Sequence, residues 1–221
     1  MFEYRHIDSD GNNIDLPLGK VVCVGRNYLQ HIKELDNEVP STPLLFIKPT
    51  TALCDLNKPV VIPKNFGPCH NELEVAILIK SPLCKASTED VTAAIWGVGL
   101  GLDLTLRDVQ STLKKQGHPW ERAKAFDASC PMSQFAAVNR VENLTDIDFS
   151  LQVNNELRQL GNSQHMLFSI VKLLVNISHA FTLLPGDIVM TGTPKGVASL
   201  SVGDELLIDL NGHFSIMTNV V

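Results

Sequence analysis

The sequence has no long hydrophobic run and no long basic run. Its most apolar stretch, residues 91–102, is followed at once by Asp103 and is far shorter than the roughly 20 residues of a membrane-spanning helix. The formal net charge is -6, and no basic cluster is present that suits a phosphate backbone or an anionic membrane. The first residues carry early charges rather than the apolar segment of a secretory signal. We therefore expect a cytoplasmic protein whose partners include neither nucleic acid nor a membrane.

Recognisable cysteine and nucleotide-binding patterns are also missing. The five cysteines are odd in number and widely spaced, and they include no C-x-x-C pair. This argues against a disulfide framework and a zinc knuckle, and it favours a reducing compartment. The glycine-rich stretch at residues 97–101 is not a G-x-G-x-x-G fingerprint, and the sequence contains no Walker loop and no G-x-S-x-G elbow. Neither nucleotide binding nor serine catalysis is indicated.

Strand signals outnumber helix signals. Short apolar or alternating segments closed by prolines or turns predict strands at residues 20–26, 46–49, 60–63 and 72–80. In the tail, Asn211-Gly212 between two alternating segments predicts a hairpin. Strands and helices do not alternate regularly, which disfavours a doubly wound parallel sheet. We expect a mixed α/β, β-rich fold of mostly antiparallel strands closed into a barrel-like roll with a few flanking helices.

Three segments have helical spacing. The first is a short, exposed helix over residues 28–35 that Asn27 can cap. The second covers residues 107–116 and stops at Gly117, and the third, with one apolar stripe, covers residues 163–184. No repeat and no long linker divides the chain, so we expect one domain over residues 1–221.

Three acids are candidates for a metal site. Glu72 and Glu74 are two positions apart in a predicted strand, so their carboxylates share one face. Like charges beside a core are unfavourable unless a cation neutralises them, although a solvent-facing strand edge would also explain the pair. Asp103 ends the glycine-rich run and is either a third ligand or a cap or turn residue. Three carboxylates without Cys or His favour Mg²⁺, with Mn²⁺ or Ca²⁺ as alternatives, over Zn²⁺.

Other polar residues suggest acid–base chemistry and anion binding. His31 and Glu34 lie three positions apart on one helix face, where the carboxylate can orient the imidazole as a general base; an exposed surface pair is the alternative. Lys124 is flanked by small and apolar residues and could meet an anionic substrate, or it is an ordinary surface lysine. The turn that contains Thr193 offers hydroxyls and free amides to a carboxylate.

Five sequence blocks occur in an order that resembles the fumarylacetoacetate hydrolase family: GRNYLQH followed by Glu34, HNELE, GLDLTLRDVQ, AKAF and TGTPKG. The resemblance covers roughly residues 20–215, after a short segment of about residues 1–19. It looks closest to the short single-domain members known as acylpyruvases or oxaloacetate decarboxylases. The resemblance implies one catalytic domain with a mixed β-roll, and usually a homodimer.

The resemblance also implies a role for each of nine residues. The metal ligands fall on Glu72, Glu74 and Asp103, the catalytic residues on His31, Glu34 and Lys124, and the substrate-binding residues on Arg107, Gln110 and Thr193. This chain departs from close relatives at Asn71, where they often carry a second histidine. Because Asn71 should point away from Glu72 and Glu74, the departure does not affect the predicted ligands.

The predicted activity is Mg²⁺-dependent hydrolysis of a C–C bond in an acylpyruvate, such as fumarylpyruvate or acetylpyruvate. His31, held by Glu34, would activate water, and Lys124 would stabilise the pyruvate enolate. Oxaloacetate decarboxylation and keto-enol tautomerisation of a 2-oxo acid need the same ligands and are the alternatives. The remote alternative is a non-catalytic metal-dependent binding protein. In every enzymatic case the partner is a small 2-oxo acid.

Overall fold

The structure of the chain is a computed structural model that describes residues 4–221, and strands dominate this range. The strands are β1 (Val21–Gly25), β2 (Leu44–Lys48), β3 (Leu53–Asp55), β4 (Cys69–Asn71), β5 (Leu73–Ile79), β6 (Ile95–Leu102), β7 (Thr105–Leu106), β8 (Cys130–Met132), β9 (Ala136–Ala137), β10 (Asp148–Val153), β11 (Glu156–Asn162), β12 (Ile188–Met190), β13 (Ala198–Leu200), β14 (Glu205–Leu210) and β15 (Phe214–Asn219).

The helices are short. They are α1 (Leu29–Glu34), α2 (Thr88–Ala94), α3 (Arg107–Gln116), α4 (Glu121–Lys124) and α5 (Ile170–Ala180), with 3₁₀ turns at Thr50–Ala52, Val138–Arg140 and Ser163–His165. Within residues 4–221, no helix combines the length and the hydrophobicity that crossing a membrane requires.

The strands form three sheets. The main sheet has the order β2-β1-β12-β5-β6-β8-β3, with β9 paired to β6, and it curls into a half-barrel. The other sheets have the orders β11-β10-β14-β15 and β13-β4-β7. The strand pairs β1–β12 and β3–β8 are parallel, and the other described pairs are antiparallel. This confirms the predicted β-rich, mostly antiparallel fold.

The centre of the main sheet is built from β5 and β6. Every residue of β5 is buried, as expected for a strand covered on both faces. The glycines of β6 allow its neighbours to approach closely: a Cβ added at Gly97 would lie 2.3 Å from the Ala136 carbonyl oxygen, and one at Gly101 would lie 2.8 Å from Met132 Cε. The glycine-rich run is therefore a packing requirement, and it brings the residue that follows β6 to the sheet edge.

Two local predictions are confirmed. Helix α3 covers the predicted residues 107–116, and Gly117 ends it with φ +66°, the left-handed conformation that glycine adopts at helix ends. The hairpin between β14 and β15 turns through residues 211–213, where Gly212 has φ +76°. The strand predicted at residues 60–63 is wrong, because Val60 forms only an isolated bridge to Val220 and residues 61–63 belong to no strand.

The prediction that Asn27 caps an exposed helix is wrong. Tyr28 occupies the capping position of α1 without a side-chain cap, and His31 and Ile32 are buried. The buried Asn27 amide instead donates to the carbonyl oxygens of Phe168 and Thr191, at 3.0 and 2.8 Å. Asn27 therefore ties the chain before α1 to two distant segments.

The same contacts shorten the third predicted helix. The Leu167 and Phe168 amides donate to the Asn27 carbonyl and side-chain oxygens, both at 2.8 Å. These amides are therefore not available to a helix that runs through residues 163–184, and α5 begins only at Ile170. Its buried residues Leu173 and Ile177 belong to the predicted apolar stripe.

Candidate functional site

Three buried acids lie together where β5 begins and β6 ends. Glu74 pairs with Gly101 across the two strands, and the Asp103 amide donates to the Glu72 carbonyl oxygen at 2.8 Å. Each of the three carboxylates offers an oxygen, and these oxygens lie within 4.8 Å of one another. The acids are only 1–5% exposed, so the solvent-facing alternative for Glu72 and Glu74 does not apply.

Lys124 lies among these acids. Its Nζ is 2.8 Å from Glu72 Oε2 and 2.5 Å from Asp103 Oδ2, and 5.2 Å from the centre of the Phe46 ring. Burial alone would lower the pKa of Lys124, but Asp103 and Glu72 outweigh it and raise the pKa above its ordinary value. The side chain is therefore a buried ammonium rather than a surface lysine.

Lys48 forms an ion pair with Asp103 and was not among the residues predicted from the sequence. Its side chain is fully buried, and Nζ donates to the Lys124 carbonyl oxygen and to the carbonyl and hydroxyl oxygens of Ser129, the latter two at 3.1 Å. These bonds use its three protons. Nζ lies 2.9 Å from Asp103 Oδ1, yet that buried oxygen accepts no hydrogen bond among residues 4–221. Asp103 Oδ1 thus retains lone pairs for a ligand.

Arg107 holds the other side of Glu72. Its Nη2 bonds to Glu72 Oε1, its Nη1 donates to Gln110 Oε1 at 2.8 Å, and its Nε donates to His70 Nδ1 at 3.3 Å. Burial favours a raised pKa for Glu72, but Lys124 and Arg107 overcome it and hold the pKa well below its usual range. Glu72 is therefore ionised at neutral pH.

Glu74 is compensated less than Glu72, although the Gly192 amide and the Lys124 charge both lower the pKa of its carboxyl. Its Oε2 accepts a hydrogen bond from the Gly192 amide at 2.7 Å, and no basic side chain within residues 4–221 forms an ion pair with it. Burial and the neighbouring Asp103 charge raise the pKa of Glu74 well above its usual range. An added cation would relieve both effects.

These residues fit a hard divalent cation. The convergent donors are all carboxylate oxygens. Within residues 4–221, Asp103 Oδ1 accepts no hydrogen bond although Lys48 Nζ lies 2.9 Å away, and Glu74 forms no ion pair. Oxygen donors of this type suit Mg²⁺, Mn²⁺ or Ca²⁺. Glu72, Glu74 and Asp103 are the residues that would hold the ion.

His31 and Glu34 form the predicted pair on α1. His31 Nδ1 lies 3.3 Å from Glu34 Oε2, and Glu34 Oε1 accepts from the Gly196 amide at 3.0 Å. Burial lowers the pKa of His31, and the opposing effects of Glu72 and Glu34 are smaller. The imidazole is therefore neutral at neutral pH. With Nδ1–H directed at Glu34, Nε2 is left as an acceptor.

Thr193 and Gln159 are joined by a hydrogen bond between their side chains. The Thr193 hydroxyl donates to the Leu73 carbonyl oxygen and accepts from Gln159 Nε2, both at 2.8 Å. The buried Gln159 side chain also accepts from the Leu73 amide and from Asn71 Nδ2. The Asn71 side chain thus donates to Gln159, which agrees with the expectation that Asn71 points away from the acids. Gln159 is one of several polar residues in β11, so no sequence signal could have identified it.

One cleft connects these groups, with about 470 Å³ of empty volume that is partly open to solvent. Eight of the nine predicted residues line it: His31, Glu72, Glu74, Asp103, Arg107, Gln110, Lys124 and Thr193. The ninth, Glu34, reaches the cleft through His31. The phenyl and indole rings of Phe46 and Trp120, with centres 6.1 Å apart, form part of its wall. A polar, half-enclosed cleft of this kind can bind a small anion and move its protons.

Known proteins are similar to this chain in sequence. Residues 20–221 match the family described as fumarylacetoacetate (FAA) hydrolase C-terminal. The oxaloacetate tautomerase YcgM of Escherichia coli (strain K12) is 51% identical over 219 residues, which cover 99% of this chain and 100% of that protein. The mitochondrial oxaloacetate decarboxylase of Dictyostelium discoideum is 36% identical over 194 residues, which cover 87% of this chain and 89% of that protein.

Solved structures share the fold. A fumarylacetoacetate hydrolase family protein from Yersinia pestis CO92 superposes with a TM-score of 0.97 at 50% identity, covering 99% of this chain and 100% of that one. The fumarylpyruvate hydrolase from Pseudomonas aeruginosa, in complex with Mn²⁺ and pyruvate, superposes with a TM-score of 0.92 at 31% identity, covering 99% and 95%. These matches confirm the resemblance of the five sequence blocks: the chain belongs to the fumarylacetoacetate hydrolase family.

Proposed function

We propose that this chain is a divalent-metal-dependent oxaloacetate keto-enol tautomerase. The observation that carries the proposal is the neutral, buried His31, which faces the same cleft as the three acids and Lys124. A relative that is 51% identical over nearly the whole chain is named an oxaloacetate tautomerase. Tautomerisation was an alternative in the sequence analysis, and the relatives favour it over acylpyruvate hydrolysis.

The substrate end of the site is built for a 2-oxo acid. Arg107 presents donors beside Glu72, and Gln110 holds the guanidinium through a hydrogen bond of 2.8 Å. In our proposal Arg107 and Gln110 orient the substrate carboxylate, and the turn at Thr193 closes the opposite wall. When bound by Glu72, Glu74 and Asp103, a divalent cation supplies charge stabilisation for the enolate.

Proton transfer is assigned to His31 and Lys124. The C3–H bond of oxaloacetate breaks, its proton goes to Nε2 of His31, and the electron pair forms the C2=C3 double bond. A proton from solvent adds to the 2-oxo oxygen, whose negative charge the Lys124 ammonium stabilises, and His31 returns its proton to solvent. The enol is converted to the keto form by the same steps in reverse. The keto and enol forms therefore differ only in the position of one proton. A neutral imidazole oriented by a carboxylate is suited to this exchange.

Oxaloacetate decarboxylation is the second candidate. It passes through the same enolate, and the Dictyostelium relative is named a decarboxylase. Loss of CO₂ requires neither an activated water nor a base at C3. Dependence on His31 therefore distinguishes the two reactions. Acylpyruvate hydrolysis is retained as the third candidate, supported by the fumarylpyruvate hydrolase among the similar structures.

The remaining assignments are part of the same proposal. We assign Mg²⁺ as the ion, with Mn²⁺ or Ca²⁺ as alternatives, and one catalytic domain over residues 1–221 that acts as a homodimer on a small 2-oxo acid. A reducing compartment such as the cytoplasm agrees with five free cysteines, four of them buried.

The test uses purified protein with Mg²⁺. Decay of the ultraviolet absorbance of enol-oxaloacetate reports tautomerisation, and pyruvate formation from oxaloacetate or from acetylpyruvate reports the other two reactions. We expect accelerated enol decay that EDTA and His31→Ala abolish, while the exposed-histidine variant His179→Ala remains active. If the His31→Ala variant still releases pyruvate from oxaloacetate, the proposed tautomerase is wrong and the protein is a decarboxylase. If pyruvate is released only from acetylpyruvate, the protein is a hydrolase.

A further inference from the structure

Two basic side chains, Arg26 and Lys114, line the same cleft as the acids without belonging to the predicted site. Arg26 follows β1 and is partly buried, with a left-handed backbone at φ +58° that is uncommon for a residue other than glycine. Lys114 lies on α3, two turns after Arg107 and on the rim of the cleft. The segment after β1 and helix α3 thus each place one positive charge in the lining of the same cleft.

In the described part of the chain, neither the Arg26 nor the Lys114 side chain is neutralised by an acid. Within residues 4–221, no carboxylate forms an ion pair with either one. The Arg26 guanidinium has one long hydrogen bond, 3.4 Å, to the Glu38 carbonyl oxygen, and Lys114 Nζ donates to Asn37 Oδ1 at 3.1 Å. Both partners are neutral groups, so the two cations keep their net charge for a ligand.

The cations also act on one another. The pKa of Lys114 is lowered, first by partial burial and then by the charges of Arg26 and Arg107. A positive cluster that repels itself, in a chain with a formal net charge of -6, is stabilised when an anion binds.

The position of the cluster defines which anion it fits. In the proposed binding mode, the carboxylate and 2-oxo groups of the substrate lie at the deep end, beside Arg107 and the three acids. The remainder of the substrate then extends toward the rim. A neutral acyl group gains little from Arg26 and Lys114, whereas a terminal carboxylate gains two charge-assisted contacts.

We propose that Arg26 and Lys114 bind the second carboxylate of a dicarboxylic 2-oxo acid and so select such substrates over monocarboxylic acylpyruvates. This inference rests on the proposed function for the substrate's orientation in the cleft. Arg26 and Lys114 would then form a specificity subsite that contains none of the nine residues predicted from the sequence. Arg26 and Lys114 are binding residues in this assignment, and they take no part in proton transfer.

The first experiment compares two substrates in Arg26→Gln and Lys114→Gln, with Lys115→Gln as the matched control. Lys115 is the neighbouring exposed lysine and does not line the cleft. We expect each cleft variant to raise KM for oxaloacetate by about tenfold, the loss expected for one charge-assisted contact, with kcat nearly unchanged. In the cleft variants, KM for acetylpyruvate should stay within about twofold of the wild-type value. If acetylpyruvate is not turned over, its inhibition constant against oxaloacetate is compared instead. All constants of Lys115→Gln should also stay within about twofold of wild type. Equal changes for both compounds, or none for oxaloacetate, would overturn the subsite.

The second experiment measures binding without turnover and so separates the subsite from the proposed reaction. Malate and lactate share the 2-hydroxy acid head, but only malate carries a second carboxylate. In calorimetric titrations with Mg²⁺ present, wild-type protein should bind malate more tightly than lactate, and Arg26→Gln and Lys114→Gln should remove that difference. If oxaloacetate is not tautomerised but the malate preference depends on Arg26 and Lys114, the reaction is wrong and the subsite stands. If wild-type protein binds the two acids equally, the subsite is wrong whatever the reaction.

Discussion

Glu34 and Gly196 lie 162 residues apart in the chain, and the Gly196 amide donates to the Glu34 carboxylate at 3.0 Å. The other oxygen of the same carboxylate faces His31 Nδ1 at 3.3 Å. Glu34 therefore holds both the base and the position of α1 against the turn that follows β12. The orientation of His31 depends on a tertiary contact as well as on helical spacing.

We predict that Glu34→Gln lowers kcat for the proposed tautomerisation by about 10²-fold, the usual contribution of a positioned acid–base group. The glutamine can still accept from Gly196, but it no longer offers a carboxylate to the His31 Nδ1–H. KM should change by less than about threefold, because Glu34 does not line the cleft. Steady-state kinetics check this, with the exposed Glu89→Gln as control. A change in KM alone would show that Glu34 shapes binding instead.

How far the sequence predicts this site depends on whether a contact is local. The spacing of His31 with Glu34 is set by helix geometry, and Glu72 and Glu74 stand on either side of the first residue of β5, so both pairs could be inferred without coordinates. Lys48 could not, because its partners Asp103 and Ser129 come from other strands and loops.

The same reason explains the errors in the fold. Helical periodicity continued through residues 163–184, but the amides of Leu167 and Phe168 bond to Asn27. The periodicity of a segment contains no information about a hydrogen-bond partner that is 141 positions away in the chain. The predicted capping role of Asn27 was wrong for the same reason: its side chain serves tertiary rather than local hydrogen bonds.

Removal of the Lys48 charge should destabilise the protein strongly. In Lys48→Met, Asp103 loses a buried cation 2.9 Å away and the oxygens of Ser129 lose their donor. Breaking a buried ion pair on one side costs about 3–5 kcal/mol. Urea unfolding of the metal-free protein measures the loss, with the exposed Lys58→Met as control. A loss below about 1 kcal/mol would show that the Lys48 charge contributes little to stability.

Metal binding should be detectable without any substrate. An ion that binds only the folded chain stabilises it by about 2.7 kcal/mol at a concentration one hundred times its dissociation constant. We expect Mg²⁺ to raise the melting temperature of EDTA-treated wild-type protein, and Glu74→Gln to remove most of that rise. The exposed Glu205→Gln should retain it. An equal rise in Glu74→Gln and wild type would exclude Glu74 as a ligand.

His6, which does not line the cleft, should make the stability of the protein depend on pH. The ring is 1% exposed, with Nε2 3.2 Å from the carbonyl oxygens of both Pro17 and Gly186. Burial lowers the pKa of His6 below its ordinary 6.5, and the two carbonyls offset this only in part. Its contribution to stability is therefore complete above pH 6.5. As the pH falls from 6.5 toward the lower folded pKa, the unfolded chain binds a proton that the folded chain does not, and the free energy of unfolding falls.

Measuring the free energy of unfolding of wild type and His6→Gln between pH 5 and 8 isolates this effect. The variant loses contacts at every pH, but it should lose less stability than wild type on acidification below pH 6.5. The gap between the two proteins therefore narrows as the pH falls. The exposed-histidine variant His179→Gln should run parallel to wild type. A constant gap between wild type and His6→Gln would mean that His6 has the same pKa in the folded and unfolded chains, and the pH dependence would then have to come from other groups.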